Sequence, residues 1–456
     1  MSGLFSDLRV GLKSLSNMEA AMSVVSENIA NVNTPGYSRK RIIFEAGPAQ
    51  IYSFGSIGQG ADIARIESVR DSFIENRIRF EMQMKGLLEG QEFGLSQIET
   101  ILAGSAGSGI PDNLSRFFNS FLELASDPSS IPLRQSVLSE AEKLAFSIQD
   151  TFRRLDSLDV DNRHQITDSV ASINSILGEL AQLNAELAPL QASGVDGGGL
   201  KDRQQELLNQ LSQEIDIQTY TNESGSLVIT NSTGRLLLVG DQPRQLQVKE
   251  TTHGQQILLQ SQDISSEIKA GRLGGFLDLQ RAVIPSYKDA LNTLASELVQ
   301  QVNAIHQGGE GLDGITGRDF FSVVSGQEAR TIAVALSNGE ELAAGPTGSA
   351  EGDGSIAQQI ADLRNQSFPG LGGGTLDDYY SQLVFEAGLD SRYVKGSSEL
   401  QSQVLTELQN QRDSVSGVSL DEEAVNLIQF QRSYQASAQF IRVVDSLLEE
   451  TINLIR

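Results

Sequence analysis

Both ends of the chain carry an apolar stripe of heptad spacing, and this limits the possible folds more than any other feature. Near the start, Leu4, Leu8, Leu15, Met18, Met22, Val25, Ile29 and Val32 advance in alternating steps of four and three, broken only at Gly11. Near the other end, Leu420, Ala424, Leu427, Tyr434, Ala438, Ile441, Leu448, Ile452 and Ile455 form a similar run, interrupted at Gln431 and Asp445. A repeat of about 3.5 residues keeps one stripe facing a partner helix. Two such stripes, one per terminus, imply that the ends pair with each other and with neighbouring copies. That is the plan of a polymer subunit. The common reading of such a stripe is an amphipathic helix on an ordinary core. The terminal placement of both, and the near absence of off-register apolar residues in the first, favour the polymer. Burying each seam residue contributes roughly 1.5–3 kcal/mol, against a backbone ordering cost of about 1–2 kcal/mol for every residue. An isolated pair is therefore marginal, and the termini are expected to be disordered in the free protein and ordered as helices once neighbouring copies complete their burial.

Between the stripes the pattern is mainly helical with one β segment. The first helix should stop at Asn33-Thr34-Pro35-Gly36, because proline disfavours helical geometry in the residue before it. An extended arm follows from Tyr37 to Phe44, and helical spacing returns over about Ile63–Leu102. Asp112 can cap a short helix carrying Phe117, Phe118 and Phe121. The stretch Leu133–Leu187 reads as one very long helix, or two in line with a break near Asp159–Asn162. Leu200–Glu214 reads as another helix. From Ile215 the period changes to two, with turn residues between short apolar runs, which predicts a small antiparallel sheet facing outward. Helix resumes from about Gly275 to His306. A glycine-rich stretch with one strand near Thr331–Leu336 follows, then a helix over about Leu376–Val415, interrupted near Gly388 and Gly396. Ser419 and Glu422 form a Ser-x-x-Glu capping box for the last helix. The expected units are 1–62 (axial helix and extended arm), 63–214 (helical middle, first part), 215–272 (small β domain), 273–416 (helical middle, second part, with a loop-rich insertion at about 308–374) and 417–456 (C-terminal axial helix). The fold class is mainly α with inserted β.

With 34 basic against 59 acidic residues, the formal charge of −25 disfavours nucleic acid and anionic lipid as partners. No apolar run approaches the ~20 residues of a membrane span, and the start lacks the basic region of a cleavable signal. Cysteine is absent, and His164, His253 and His306 are scattered, so neither disulfides nor a zinc site are expected. No phosphate loop or nucleophile elbow is present, and no cofactor, metal or catalytic residue is assigned. Arg39-Lys40-Arg41 is the one basic cluster. It reads as the exposed side of an extended segment, in preference to an anion site.

Several segments resemble a known family. Asn28-Ile29-Ala30-Asn31-Val32-Asn33-Thr34-Pro35-Gly36-Tyr37-Ser38-Arg39 is similar to the N-terminal signature of the flagellar rod, hook and hook-associated axial proteins. The stretch Ser414–Glu423, with Asn426, Leu427, Gln431, Tyr434, Ala436, Ala438 and the final Asn453-Leu454-Ile455-Arg456, closely resembles the hook-associated protein 1 family. Mid-chain, Asn303, His306, Gly308, Asp313, Gly314, Gly317, Phe320 and Phe321 match that family's Asn-x-x-His … Phe-Phe segment. The large β insertion that many members carry after this point is short here. The resemblance implies a structural adaptor, a ring of copies joining hook to filament. It also implies export without a cleaved signal, to an extracellular place on the bacterial flagellum. The implied partners are other copies, the hook protein, the second hook–filament junction protein, and an export chaperone on the C-terminal helix. A hook or rod subunit is the nearest rival. A secreted wall hydrolase, or a coiled-coil receptor fragment, would be rivals of another kind.

Overall fold

The structure is a computed structural model that describes residues 2–34, 36–53, 55–104, 107, 109–222, 225–252 and 254–455. The side chains of residues 2, 52, 454 and 455 are outside the description. Pro35, His253 and the Ile455 side chain of the sequence reading therefore lie beyond it.

The chain builds an arm and a body. The arm begins with α1 (Ser2–Ala30), followed by β1 (Lys40–Ala46), β2 (Ala49–Tyr52), β3 (Gly55–Gly58) and β4 (Ala61–Ser68). Strands β1 and β4 pair antiparallel, with a register shift between Ile43 and Phe44, and β2–β3 is the hairpin beyond them. The helical spacing read from Ile63 was thus misleading up to Ser68. Ile63 pairs with Phe44 and Ile66 with Ile42, and a partner some twenty residues back leaves no mark on local periodicity.

The body opens with α2 (Ser72–Ala103), α3 (Ile110–Ser126), α4 (Ile131–Ala192) and α5 (Gly198–Glu214). Helix α4 runs unbroken through Asp159–Asn162, because Leu155, Leu158 and Ile166 stay buried on either side. A four-stranded antiparallel sheet follows, of β5 (Ile217–Thr221), β6 (Leu227–Asn231), β7 (Leu236–Val239) and β8 (Gln242–Pro243). A three-stranded sheet comes next, of β9 (Leu246–Thr251), β10 (Gly254–Leu259) and β11 (Gln262–Asp263). Both sheets lie on α4. Asn174 exchanges hydrogen bonds with the Leu246 backbone at 2.9 and 2.8 Å, and Asn184 donates to the Leu227 and Gly240 carbonyls at 3.0 and 2.7 Å. Their inward residues Ile217, Ile229, Leu237, Leu238, Ile257 and Leu259 join the helical core as one continuous cluster.

Helix α6 (Gly271–Asp278) leads through a π-helical stretch, Leu279–Val283, into α7 (Ile284–His306). Pro285 at the start of α7 removes a backbone donor, and the wider turn before it absorbs that loss. The loop-rich stretch holds α8 (Glu328–Thr331) and α9 (Ser355–Asp362), and the strand expected there shrinks to Ala333–Val334. The body ends in α10 (Leu376–Ser416), which shows no break at Gly388 or Gly396. Gly388 is buried with Glu99 of α2 about 3.6 Å from where a Cβ would stand. Packing of α10 along α2 outweighs the roughly 1 kcal/mol a helical glycine costs. The last helix, α11 (Leu420–Ile455), returns to the arm.

Two features of the body depend on partners distant in the sequence. Gly86, Gly90 and Gly94 of α2 form a stripe at a spacing of four, and the stripe lets backbone meet backbone. A Cβ on Gly90 would lie 2.6 Å from the Arg272 carbonyl, and one on Gly275 would lie 2.5 Å from that of Leu87. Phe117 and Phe121 of α3 meet Phe320 and Phe321, with ring centroids 5.5–5.8 Å apart. The Asn303 side chain accepts from both Phe320 and Phe321 backbone N–H groups at 2.9 Å. His306 is buried, its Nδ1 2.8 Å from the Arg318 carbonyl while Nε2 accepts from Ala343 N–H at 2.9 Å.

Candidate assembly interface

The two stripes pack on each other within one chain. Gly11 faces Ile441 and Phe440, Ser14 and Ser437 share a hydrogen bond of 2.7 Å, and Tyr434 donates to Glu19 at 3.4 Å. The partner numbers fall as the first numbers rise, so α1 and α11 are antiparallel. Of the N-terminal stripe, Val25 is buried, while Leu4, Leu8, Leu15, Met18, Met22, Ile29 and Val32 are half-buried. The most buried positions are Gly11, Asn17, Ala21, Val24, Val25 and Asn28, because α1 also packs on the β ladder. There Asn17 donates to the Ala61 carbonyl at 2.7 Å. Of the C-terminal stripe, Leu448 is buried, and Leu427, Tyr434, Ala438 and Ile441 are half-buried. Leu420, Ala424 and Ile452 are exposed.

The pairing leaves a second apolar row on α11 that the sequence reading did not single out. Val425, Ile428, Val443 and Leu447 are 63%, 50%, 52% and 44% exposed. Val425 and Val443 are about five turns apart and so point the same way, opposite Tyr434 and Ile441. Phe5 and Leu12 add exposed apolar surface on α1. Apolar residues at both faces of one helix are a signal readable in the sequence.

The N-terminal motif is a knot that turns the chain. Asn28 is buried; its Nδ2 donates to the Lys40 carbonyl at 2.9 Å, and its Oδ1 accepts from Lys40 N–H at 3.0 Å and from the Tyr37 hydroxyl at 2.9 Å. Asn31 Nδ2 donates to the Glu27 carbonyl, ending the helix, and Thr34 Oγ1 donates to Asn31 Oδ1 at 3.1 Å. Asn33 and Thr34 are exposed, and Gly36 takes a left-handed φ of 78°. Burial, and next the nearby Glu27, Asp202 and Glu423 carboxylates, push the Tyr37 hydroxyl's pKa up, so it stays a donor to Asn28. This knot sets β1 alongside the end of α1.

The basic cluster is consumed by ion pairs: Arg39 with Glu422, Lys40 with Glu27, and Arg41 with Glu67. The capping box is correspondingly incomplete. Glu422 N–H lies 3.5 Å from Ser419 Oγ, while the Glu422 carboxylate is taken by Arg39 instead of reaching back.

Comparison with known proteins agrees with this geometry. A family model described as flagella basal body rod protein matches residues 8–37, and one described as flagellar basal body rod FlgEFG protein C-terminal matches 409–454. The two paired ends are thus those of a flagellar axial protein. The intervening residues 95–321 match the model of the flagellar hook-associated protein FlgK helical domain. The flagellar hook-associated protein 1 of Bacillus subtilis is 27% identical over 99% of both chains. Those of Salmonella typhimurium and Escherichia coli are 24% and 23% identical over the whole of both chains. The solved flagellar hook junction protein FlgK from Burkholderia pseudomallei shares the fold, with a TM-score of 0.68 at 16% identity, over 75% of this chain and all of that one. The chain belongs to the flagellar hook-associated protein 1 family.

Proposed function

We propose that the protein is a structural subunit at the junction of flagellar hook and filament, held in a ring of copies by the arm. The observation that carries this is the two-faced α11. One face is spent on α1 within the chain, and the Val425–Leu447 row remains for a neighbour. A pair whose inner face is only half-buried and whose outer face is apolar gains most of its burial only in an assembly. The seam residues named above serve the intramolecular pair, and the outer row serves the contact between copies. The hook protein and the second junction protein flank the ring on this reading. An export chaperone covers the α11 row before assembly, which keeps the apolar face from aggregating during export without a cleaved signal. The five-part division of the chain is retained, with its first boundary moved past Ser68, since β4 belongs to the arm ladder.

The test is Val443→Asp. Because Val443 is exposed in the single chain, the purified variant should melt within about 0.5 kcal/mol of the parent. The same change buries an unpaired carboxylate in the assembly, so cells carrying it should export the protein and build no filament beyond the hook. Normal swimming with a normal filament would overturn the reading.

A further inference from the structure

Among the described residues, the arm and the body share no apolar core. Neither cluster of buried apolar residues contains a residue of the arm. The arm's own buried apolar residues Ala21, Val24, Val25, Val444 and Leu448 belong to neither. What spans the joint is polar. Arg70, in the link between β4 and α2, donates through Nε to Ser38 Oγ of the arm at 3.0 Å. Its Nη2 donates to Asp202 Oδ1 at 2.6 Å and to the Gly198 carbonyl at 3.4 Å, both on α5. Ser68 donates from N–H and Oγ to Asp196 Oδ2 at 3.1 and 2.9 Å, and Lys201 holds the other oxygen of that carboxylate. Arg39 N–H donates to the Ser416 carbonyl at 2.8 Å where the chain crosses back. The Arg70–Asp202 pair is well shielded, with side chains 22% and 14% exposed. Next to it, a cavity of about 630 Å³ separates the Asn31–Tyr37 loop from Met82, Glu206, Asn209 and Arg412 of the body.

We propose that this joint is an electrostatic latch: Arg70 and Asp196 clip the arm to the N-terminal end of α5, and releasing them lets the arm turn into the neighbouring cavity and change its angle to the body. The physical basis is the kind of contact present. An apolar joint is not loosened by salt, whereas ion pairs weaken as the screening length falls from about 10 Å at 0.1 M to about 3 Å at 1 M, a shielded pair such as Arg70–Asp202 less than an exposed one. The α1–α11 seam is apolar apart from the Ser14–Ser437 and Tyr434–Glu19 hydrogen bonds, neither of them an ion pair, and it keeps its own shape when the latch opens, so the arm moves as one piece.

The absence of cysteine makes the measurement direct, since two introduced cysteines take spin labels without background. Gln210→Cys on α5 and Gln429→Cys on α11, both at exposed positions, report the arm–body distance by dipolar spectroscopy in the full chain. Ser26→Cys with Gln435→Cys, also exposed, reports the arm's internal geometry. At about 0.1 M salt the arm–body pair should show one narrow distance, broadened in part at about 1 M while the internal pair stays narrow. Arg70→Ala or Asp202→Asn should lose the narrow distance at low salt. Arg70→Asp combined with Asp202→Arg should restore it, which a merely structural role for Arg70 would not produce. An arm–body distance unchanged by salt and by Arg70→Ala overturns the latch. So does one that is already broad in the parent at low salt, or a charge swap that fails to restore it.

Discussion

Filling the gap in the N-terminal stripe is a substitution on which pattern and structure disagree. From the heptad alone, Gly11→Leu completes the seam. It adds an apolar side chain worth up to roughly 1.5–3 kcal/mol if buried, and removes a helix-interior glycine worth about 1 kcal/mol. The structure says otherwise. A Cβ at residue 11 would stand 2.7 Å from Ile441 Cγ1 and 3.3 Å from Phe440 Cδ1, inside the ~3.5–4.0 Å at which carbon atoms rest. Helix α1 cannot retreat, because Asn17 holds it to Ala61, and the position of a Cβ on Gly60 is only 3.2 Å from Val10. Leucine must therefore push α11 away, loosening Ile441 and the Ser14–Ser437 bond. Overpacking of this kind costs about 1–3 kcal/mol, and the leucine side chain is not cleanly buried in return. The expected net effect is a less stable arm, with amide-exchange protection in residues 12–29 and 427–448 of the full chain falling about 5- to 150-fold, the range that 1–3 kcal/mol implies. Protection in the body should not change. On an Ile441→Ala background the same leucine should recover part of the loss, with a favourable coupling of roughly 0.5–3 kcal/mol. If Gly11→Leu alone raises arm protection above the parent, the close approach of α1 and α11 at this point is wrong and the argument fails with it.

Gly90→Ala should destabilise the body by about 1–3 kcal/mol in chemical denaturation, although alanine is the better helix former, because the new carbon meets the Arg272 carbonyl and the Gly275 Cα; a more stable variant would exclude the backbone contact. His306 is held neutral, since burial lowers its pKa and its Nε2 must accept from Ala343. The unfolded chain therefore takes up a proton that the folded one refuses. The contribution of His306 is complete above its unfolded pKa of about 6.5 and shrinks as pH falls below it, by at most about 1.4 kcal/mol per pH unit until the lowered folded pKa is reached. Urea unfolding of the parent should show that slope between neutral pH and about pH 5, and His306→Asn should be less stable but flatter; equal slopes would refute the assignment.

The parts legible in the sequence are those governed by neighbours a few residues apart. Heptad spacing gave the two terminal helices and their mutual pairing, and the start of α11 at Leu420 followed from local chemistry. Helix α1 ends at Ala30, just ahead of the turn expected from Asn33. The change of period at Ile215 placed the sheets, and the motif segments pointed to the flagellar axial proteins. What required the folded chain was whatever depends on a distant partner. The strand Ala61–Ser68 exists because β1 lies beside it, and α10 runs through Gly388 because α2 supports it. The Glu422 carboxylate left its cap for Arg39, a residue almost a whole chain length away. The candidate interface divides along the same line. A repeat of apolar residues specifies that a helix has a partner face. Which face is satisfied inside the molecule, and which is left for another copy, is decided only when Gly11 admits Ile441 and turns the Val425–Leu447 row outward. Periodicity is a property of one helix, whereas burial is a property of two surfaces and the space between them.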